Sequence, residues 1–201
     1  MALPRLRRIL LNRSPRSDHF NGEQFVNQEP RERKMSFLDW QFNRELDWWQ
    51  EARLTPDMKV VSTPAHHFSN RGLSDQNGTL WTSYVLQGPS GVTYFAGDTG
   101  YGKHFRQVRE KFGPPRLAVL PIGAFKPEAF MEVVHVSPKE AVQARLDLEA
   151  RVSVPMHYGT FNLADEGQEE PVTELLKAIE AQAEPRPRFW VLGFGEGRDV
   201  P

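Results

Sequence analysis

From Met58 onward, short β-like runs alternate with helical patterns, and that alternation confines the chain to an α/β architecture. Residues 59–62 read as a strand. Residues 80–86 and 92–96 are two more, joined across Gly88-Pro89-Ser90-Gly91, which predicts a hairpin. A helix is expected over 105–112, ended by Gly113-Pro114-Pro115. Residues 117–122 hold few polar side chains, as in a strand covered on both faces. Ser137-Pro138-Lys139-Glu140 opens a helix that runs to about residue 150: Ser137 caps, Pro138 needs no amide partner at the first position, and Glu140 reaches back to the cap. A strand at 152–156, a helix at 171–183 with Val172, Leu175, Leu176 and Ile179 on one face, and a last strand at 189–192 complete the order.

The chain before Met58 has a different texture. Residues 1–36 are charged and broken by Pro4, Pro15 and Pro30, so they read as a basic arm. Inside it, Asn21-Gly22 marks a turn in a small hairpin or hooked loop over 17–27, and Asp18 beside His19 is either a ligand pair or a local turn contact. Leu38, Phe42, Leu46 and Trp49 recur at helical spacing and predict a helix over 37–50, packed on the core or lying on a membrane surface. The expected organisation is an N-terminal arm and lead-in over 1–44 and one partial α/β domain over 45–201.

With no cysteine, disulfides and thiolate metal sites are excluded, and any metal must sit on His and carboxylate. The net charge of −1 sets up no field that would attract nucleic acid. No apolar run approaches the roughly 20 residues that span a bilayer. These features fit a cytoplasmic protein. The hydrophobic share of 39% and mean hydropathy of −0.56 are lean for a compact enzyme of 201 residues.

The chemistry-bearing residues fall where strand-like runs give way to loops. Thr63-Pro64-Ala65-His66-His67-Phe68, Gly97-Asp98-Thr99-Gly100 and Met156-His157-Tyr158-Gly159 each offer a His or Asp at such a point. Their wide separation excludes a zinc finger or a helical His pair and suits a site assembled at the rim of a sheet. His66 and His67 are neighbours, so on a strand they point to opposite faces and at most one serves as a ligand. Asp98 lies among glycines that let the backbone turn sharply, and its alternative role is an Asx turn. His135 precedes the capped helix and is either a substrate contact near a helix N-terminus or a packing residue. Tyr158 is a candidate substrate contact, and His104 is expected on an exposed helix face.

Taken in order, Thr63 to Phe68, Arg71, the stretch 75–83, Phe95-Ala96-Gly97-Asp98-Thr99-Gly100-Tyr101, Phe112-Gly113-Pro114, Leu120-Pro121-Ile122-Gly123-Ala124, His135-Val136-Ser137-Pro138-Lys139-Glu140 and His157-Tyr158-Gly159-Thr160-Phe161 resemble the C-terminal half of N-acyl-phosphatidylethanolamine phospholipase D and its bacterial relatives, in the metallo-β-lactamase superfamily. The resemblance covers residues 45–196, and residues 17–27 and 37–44 resemble that family's lead-in. It implies part of an αββα sandwich, mainly its C-terminal half, around a site for two zinc ions. It implies His67 as a ligand of the first zinc, Asp98 as the carboxylate shared by both, and His157 as a ligand of the second. Asp98 and His135 become the residues expected to act in the chemistry, with His135 and Tyr158 facing substrate. The implied reaction is hydrolysis of a phosphodiester on its phosphatidyl side, releasing an N-acylethanolamine and phosphatidic acid.

One departure stands out. The family's His-x-His-x-Asp-His string occurs nowhere in this chain, whose six histidines are His19, His66, His67, His104, His135 and His157. With three good ligand candidates left, at most one Zn2+ is expected. Three readings follow: a family hydrolase in truncated form, weak or inactive alone, acting on a phospholipid or other phosphodiester with peripheral membrane contact; a non-catalytic half-fold that pairs with another chain or with itself as a homo-oligomer; or a basic-arm binding module using Arg5, Arg7, Arg8, Arg13 and Arg16, whose mark would be steep salt dependence.

Overall fold

The computed structural model describes residues 45–70, 72, 74 and 76–201. The alternation becomes one six-stranded sheet, ordered as in sequence: β1 (Glu51–Thr55), β2 (Met58–Pro64), β3 (Thr82–Gly88), β4 (Gly91–Phe95), β5 (Leu117–Pro121) and β6 (Val152–Met156). β1 to β4 form an antiparallel meander. The expected hairpin pairs Gly88 with Gly91, and Gly91 takes φ 112°, a value that favours glycine. β5 and β6 then add in parallel. Parallel neighbours need crossovers, and helices supply them. α1 (His104–Phe112) leads from β4 to β5, while the short α2 (Glu128–Met131) and then α3 (Pro138–Leu148) lead to β6. α4 (Glu170–Glu180) follows.

Side chains alternate across a strand, so each strand feeds two layers. Val61, Val85, Tyr94, Ala118 and Leu120 point to the helices and meet Phe105, Val108, Ala141, Val142, Leu148 and Leu175, all within 2% of full burial. Cross-strand partners share a face, so the pairs Tyr84–Phe95, Phe95–Val119 and Val119–Val154 define the second face. Its Tyr84, Leu86, Leu117 and Val119 are half-buried and Phe95 is exposed. The main apolar cluster lies on the helix side of the sheet, although Val60 and Val152 on the second face are buried too. The α/β class and the partial sandwich read from the sequence hold.

The capping box at α3 is complete: Ser137 Oγ accepts from the Glu140 amide at 3.3 Å, and Glu140 Oε2 accepts from the Ser137 amide at 2.9 Å. Four expectations need correction. The described end of the predicted 37–50 helix is not helical: residues 45–50 form a turn, Trp49 takes φ 70°, and β1 begins at Glu51. Leu46 and Trp49 are apolar because they pack, Leu46 buried and Trp49 stacked on Phe112, rather than because they share a helical stripe. The strand expected at 189–192 is a single bridge between Phe189 and Ser153. His104, expected to be exposed, is 1% accessible. Leu176, expected on the buried face of the last helix, is exposed. The arm with Asp18 and His19, the 17–27 hairpin, the lead-in to residue 44, and Arg71 and Asp75 lie outside the described residues. Among the described residues no helix is long and apolar enough to cross a membrane.

Leu120 sits in the main apolar cluster. Leu120→Ala is expected to cost about 2–5 kcal/mol in urea unfolding, whereas Leu54→Ala on the exposed edge strand should stay within about 0.5 kcal/mol.

Candidate metal centre

Strand directions decide where the site lies. The meander makes β2 and β4 run the same way, and β5 and β6 run parallel to β4. The C-terminal ends of all four therefore emerge at one rim. His67 follows β2, Asp98 follows β4, and His157 follows β6 directly. His135 reaches the same place from the loop before α3. Ligand atoms of Asp98, His135 and His157 lie within 4.8 Å of one another. His67 stands beside this trio, its ring 5.3 Å from that of His135 in an edge-on contact.

A hydrogen bond on one side of the His67 ring leaves its other nitrogen open. Its Nδ1 lies 3.1 Å from the carbonyl oxygen of Phe68. A carbonyl only accepts, so Nδ1 carries the hydrogen and Nε2 keeps its lone pair. That Nε2 is buried without a hydrogen-bond partner, as is Nδ1 of His135. Buried imidazole nitrogens left open are what a metal ion satisfies, and a backbone carbonyl on the opposite nitrogen is the usual way of orienting such a ligand. The donor set of imidazoles and one carboxylate suits zinc. The residues present fit a metal ion.

His157 Nε2 contacts Asp98 Oδ1 at 3.0 Å. This hydrogen bond holds the Asp98 carboxyl below its usual range against the opposing effect of burial. The same bond raises the pKa of His157, again against burial. Burial lowers the pKa of His135, although Asp98 pulls the other way. Of the imidazoles near Asp98, His157 is the one hydrogen-bonded to its carboxylate.

The backbone at His157 is strained. His157 has φ 63°, a left-handed conformation rare outside glycine. A Cβ at Gly123 would stand 2.0 Å from the His157 carbonyl oxygen, so only glycine lets the loop after β5 approach this closely. Glu166, nearly buried, accepts from the amides of Ala124 and Lys126 and pins that loop. A cavity of about 200 Å³ opens beside His157, with Tyr158, Phe161, Leu163 and Glu166 in its lining. A wider groove of about 670 Å³ reaches His135 past Tyr101, Phe125 and Ser137.

Of the residues singled out in the sequence, His67, Asp98, His135 and His157 converge, and Tyr158 lines the adjoining cavity. His135, read as a substrate contact or a packing residue, has a ring nitrogen close to the candidate ligand atoms of Asp98 and His157. His66 turns away from the cluster, its ring 4.8 Å from that of His104. Sequence reasoning gave Gly123 no role beyond the family stretch and missed Glu166. Both act through backbone contacts that nothing in their local sequence reports.

The beta-lactamase superfamily domain model matches residues 7–158. The chain belongs to the metallo-β-lactamase superfamily. An uncharacterised protein of Mycobacterium tuberculosis is 47% identical over 141 residues, covering 69% of this chain and 37% of that protein. N-acyl-phosphatidylethanolamine-hydrolyzing phospholipase D 1 of Caenorhabditis elegans is 36% identical over 143 residues, covering 69% of this chain and 40% of the enzyme. The chain thus spans about two fifths of the length of these two relatives. Among solved structures, Igni18, a metallo hydrolase of Ignicoccus hospitalis, shares the fold with a TM-score of 0.57 and 24% identity, over 77% of this chain and 59% of that one.

Folding raises the pKa of His157 above 6.5 and lowers that of Asp98 below 3.8. In the metal-free protein the pair therefore stabilises the fold most between these values. The contribution fades as pH rises through the raised His157 pKa or falls through the lowered Asp98 pKa. Asp98→Asn should bring the His157 pKa down in an NMR titration of the metal-free protein; an unmoved pKa would show that the contact does not form.

Proposed function

We propose that this chain carries the C-terminal part of a zinc-dependent phosphodiesterase site of the phospholipase D type, acting on an N-acyl-phosphatidylethanolamine-like lipid. The observation that carries the reading is the convergence of Asp98, His135 and His157, with His67 beside them, at a sheet rim that opens on an apolar-edged cavity. The likeness to the Caenorhabditis elegans phospholipase supports the substrate class. Zinc bound there would polarise a phosphoryl oxygen and bring the pKa of a bound water towards about 7. His67, Asp98 and His157 are the proposed ligands. His67 offers Nε2 with its lone pair free, and Asp98 offers a carboxylate already ionised in the neutral range. His157 would hold the metal through Nε2, the nitrogen that now donates to Asp98. His135 stands where it can bind the metal or contact a substrate oxygen, and Tyr158 lines the cavity a substrate would enter.

Around the rim, large apolar side chains face water. Phe161 and Leu163, at the cavity mouth, are 78% and 62% exposed; Phe130 and Val133, before His135, and Phe68, after His67, are exposed too. Apolar residues massed beside a polar site suit a lipid presented at a membrane surface, where each buried side chain adds about 1.5–3 kcal/mol. Peripheral membrane contact through this rim is part of the proposal.

Without the His-x-His-x-Asp-His string, the chain alone should hold at most one zinc, with hydrolysis weak or absent. Elemental analysis after dialysis against metal-free buffer should find some zinc but no more than one per chain, and none in His157→Ala. Metal retained by that variant would overturn the ligand assignment, and two zincs per chain would overturn the stoichiometry. For the lipid, the chain should co-sediment with vesicles containing N-acyl-phosphatidylethanolamine, and Phe161→Ser with Leu163→Ser should weaken this by about tenfold or more, the equivalent of about 1.4 kcal/mol. Equal sedimentation of the two would overturn the membrane reading.

A further inference from the structure

One buried hydroxyl fastens together the two loops that carry His67 and Asp98. Thr99, directly after Asp98, is fully buried. Its Oγ1 accepts from the His66 amide at 2.8 Å and donates to the Gly100 carbonyl at 2.8 Å. The Gly100 amide in turn donates to the His66 carbonyl at 2.7 Å. The loop after β2 and the loop after β4 are thus tied twice, one residue away from each proposed ligand.

His104 backs this clamp from the first turn of α1. Its Nε2 lies 3.3 Å from Thr99 Oγ1. A hydroxyl has one hydrogen and two lone pairs. The hydrogen goes to the Gly100 carbonyl, which can only accept. The lone pairs then face the His66 amide and His104, so His104 Nε2 carries a hydrogen and donates it. The hydroxyl's capacity is filled, which is the arrangement that holds a buried polar group most firmly. The ring of His104 packs between His66 at 4.8 Å and Phe105 at 4.1 Å. The surroundings leave no slack. A Cβ at Gly102 would stand 2.3 Å from His66 Cε1, and one at Gly100 would stand 2.5 Å from the Val133 carbonyl oxygen.

We propose that Thr99, backed by His104, is a positioning residue: its hydroxyl holds the His66–His67 loop against the Asp98–Gly100 loop and so sets the separation of His67 and Asp98. The consequence for metal affinity rests on the zinc reading above; the clamp itself does not. A Thr99 that merely fills space would be replaced without loss by valine, which has nearly the same shape. A clamping Thr99 would not, because valine strands the His66 amide and His104 Nε2 without an acceptor.

Two measurements on the full chain decide this. The first is Zn2+ affinity by chelator competition: Thr99→Val should weaken binding about 10- to 100-fold, as loss of a group that orients a ligand does, while Thr99→Ser, which keeps the hydroxyl, recovers most of it. The second is amide hydrogen exchange in the metal-free protein: the His66 and Gly100 amides should exchange faster in Thr99→Val than in wild type or Thr99→Ser. Wild-type affinity with unchanged exchange in Thr99→Val would overturn the proposal. If the wild type takes up no zinc, the zinc reading falls, and exchange alone decides the clamp: faster exchange at those two amides supports it and unchanged exchange refutes it. Should Thr99→Val not fold, His104→Phe keeps a ring against His66 but removes the donor, and the same two amides should again lose protection; full protection would refute the role of His104.

Discussion

The site depends on strand direction. An antiparallel meander returns β4 to the direction of β2, and two helical crossovers then add β5 and β6 in that same direction. Four C-terminal ends must emerge at one rim, and the chain places a His or Asp after three of them. Open α/β sheets bind ligands beyond the carboxyl ends of their strands for this geometric reason. Any change that weakens the pairing of β4 with β5 would therefore loosen the site before it touched Asp98, His135 or His157.

The rim is built against local stability. His157 sits in a left-handed conformation, imidazole nitrogens of His67 and His135 are buried without partners, and three imidazoles surround one carboxylate. Each is a cost that a core residue would not carry. The surrounding structure over-determines the arrangement. Gly123 packs against the His157 carbonyl, Glu166 pins the loop after β5, and Thr99 ties the loops after β2 and β4. The helix side of the sheet, with Leu120, Tyr94 and Phe105 fully buried, supplies the stability that offsets this.

How far the site was legible differs residue by residue. Asp98 and His157 could be read because each follows a recognisable strand and lies within two residues of a glycine that marks a sharp turn. His135 could be noticed but not assigned, since only the fold shows that the loop before α3 returns to the rim. His104 was misread because a lone histidine in a short charged helix has no local mark of burial; its partners, Thr99 and His66, lie in other elements. The helical spacing that ends in Leu46 and Trp49 misled at its described end for the opposite reason. Leu46 and Trp49 are apolar because an edge turn packs them against other elements, and packing overrode the period.

The sequence by itself determined the α/β class, the hairpin at Gly88 to Gly91, the capped start of α3 and the family, because these rest on local backbone chemistry and on the order of residues along the chain. It also determined that no His-x-His-x-Asp-His string is present. Only the tertiary structure decided which histidines meet. That outcome depends on strand direction, on the side of the sheet each loop returns to, and on close approaches such as Gly123 to His157. These are relations between residues distant in sequence, and no local pattern encodes them.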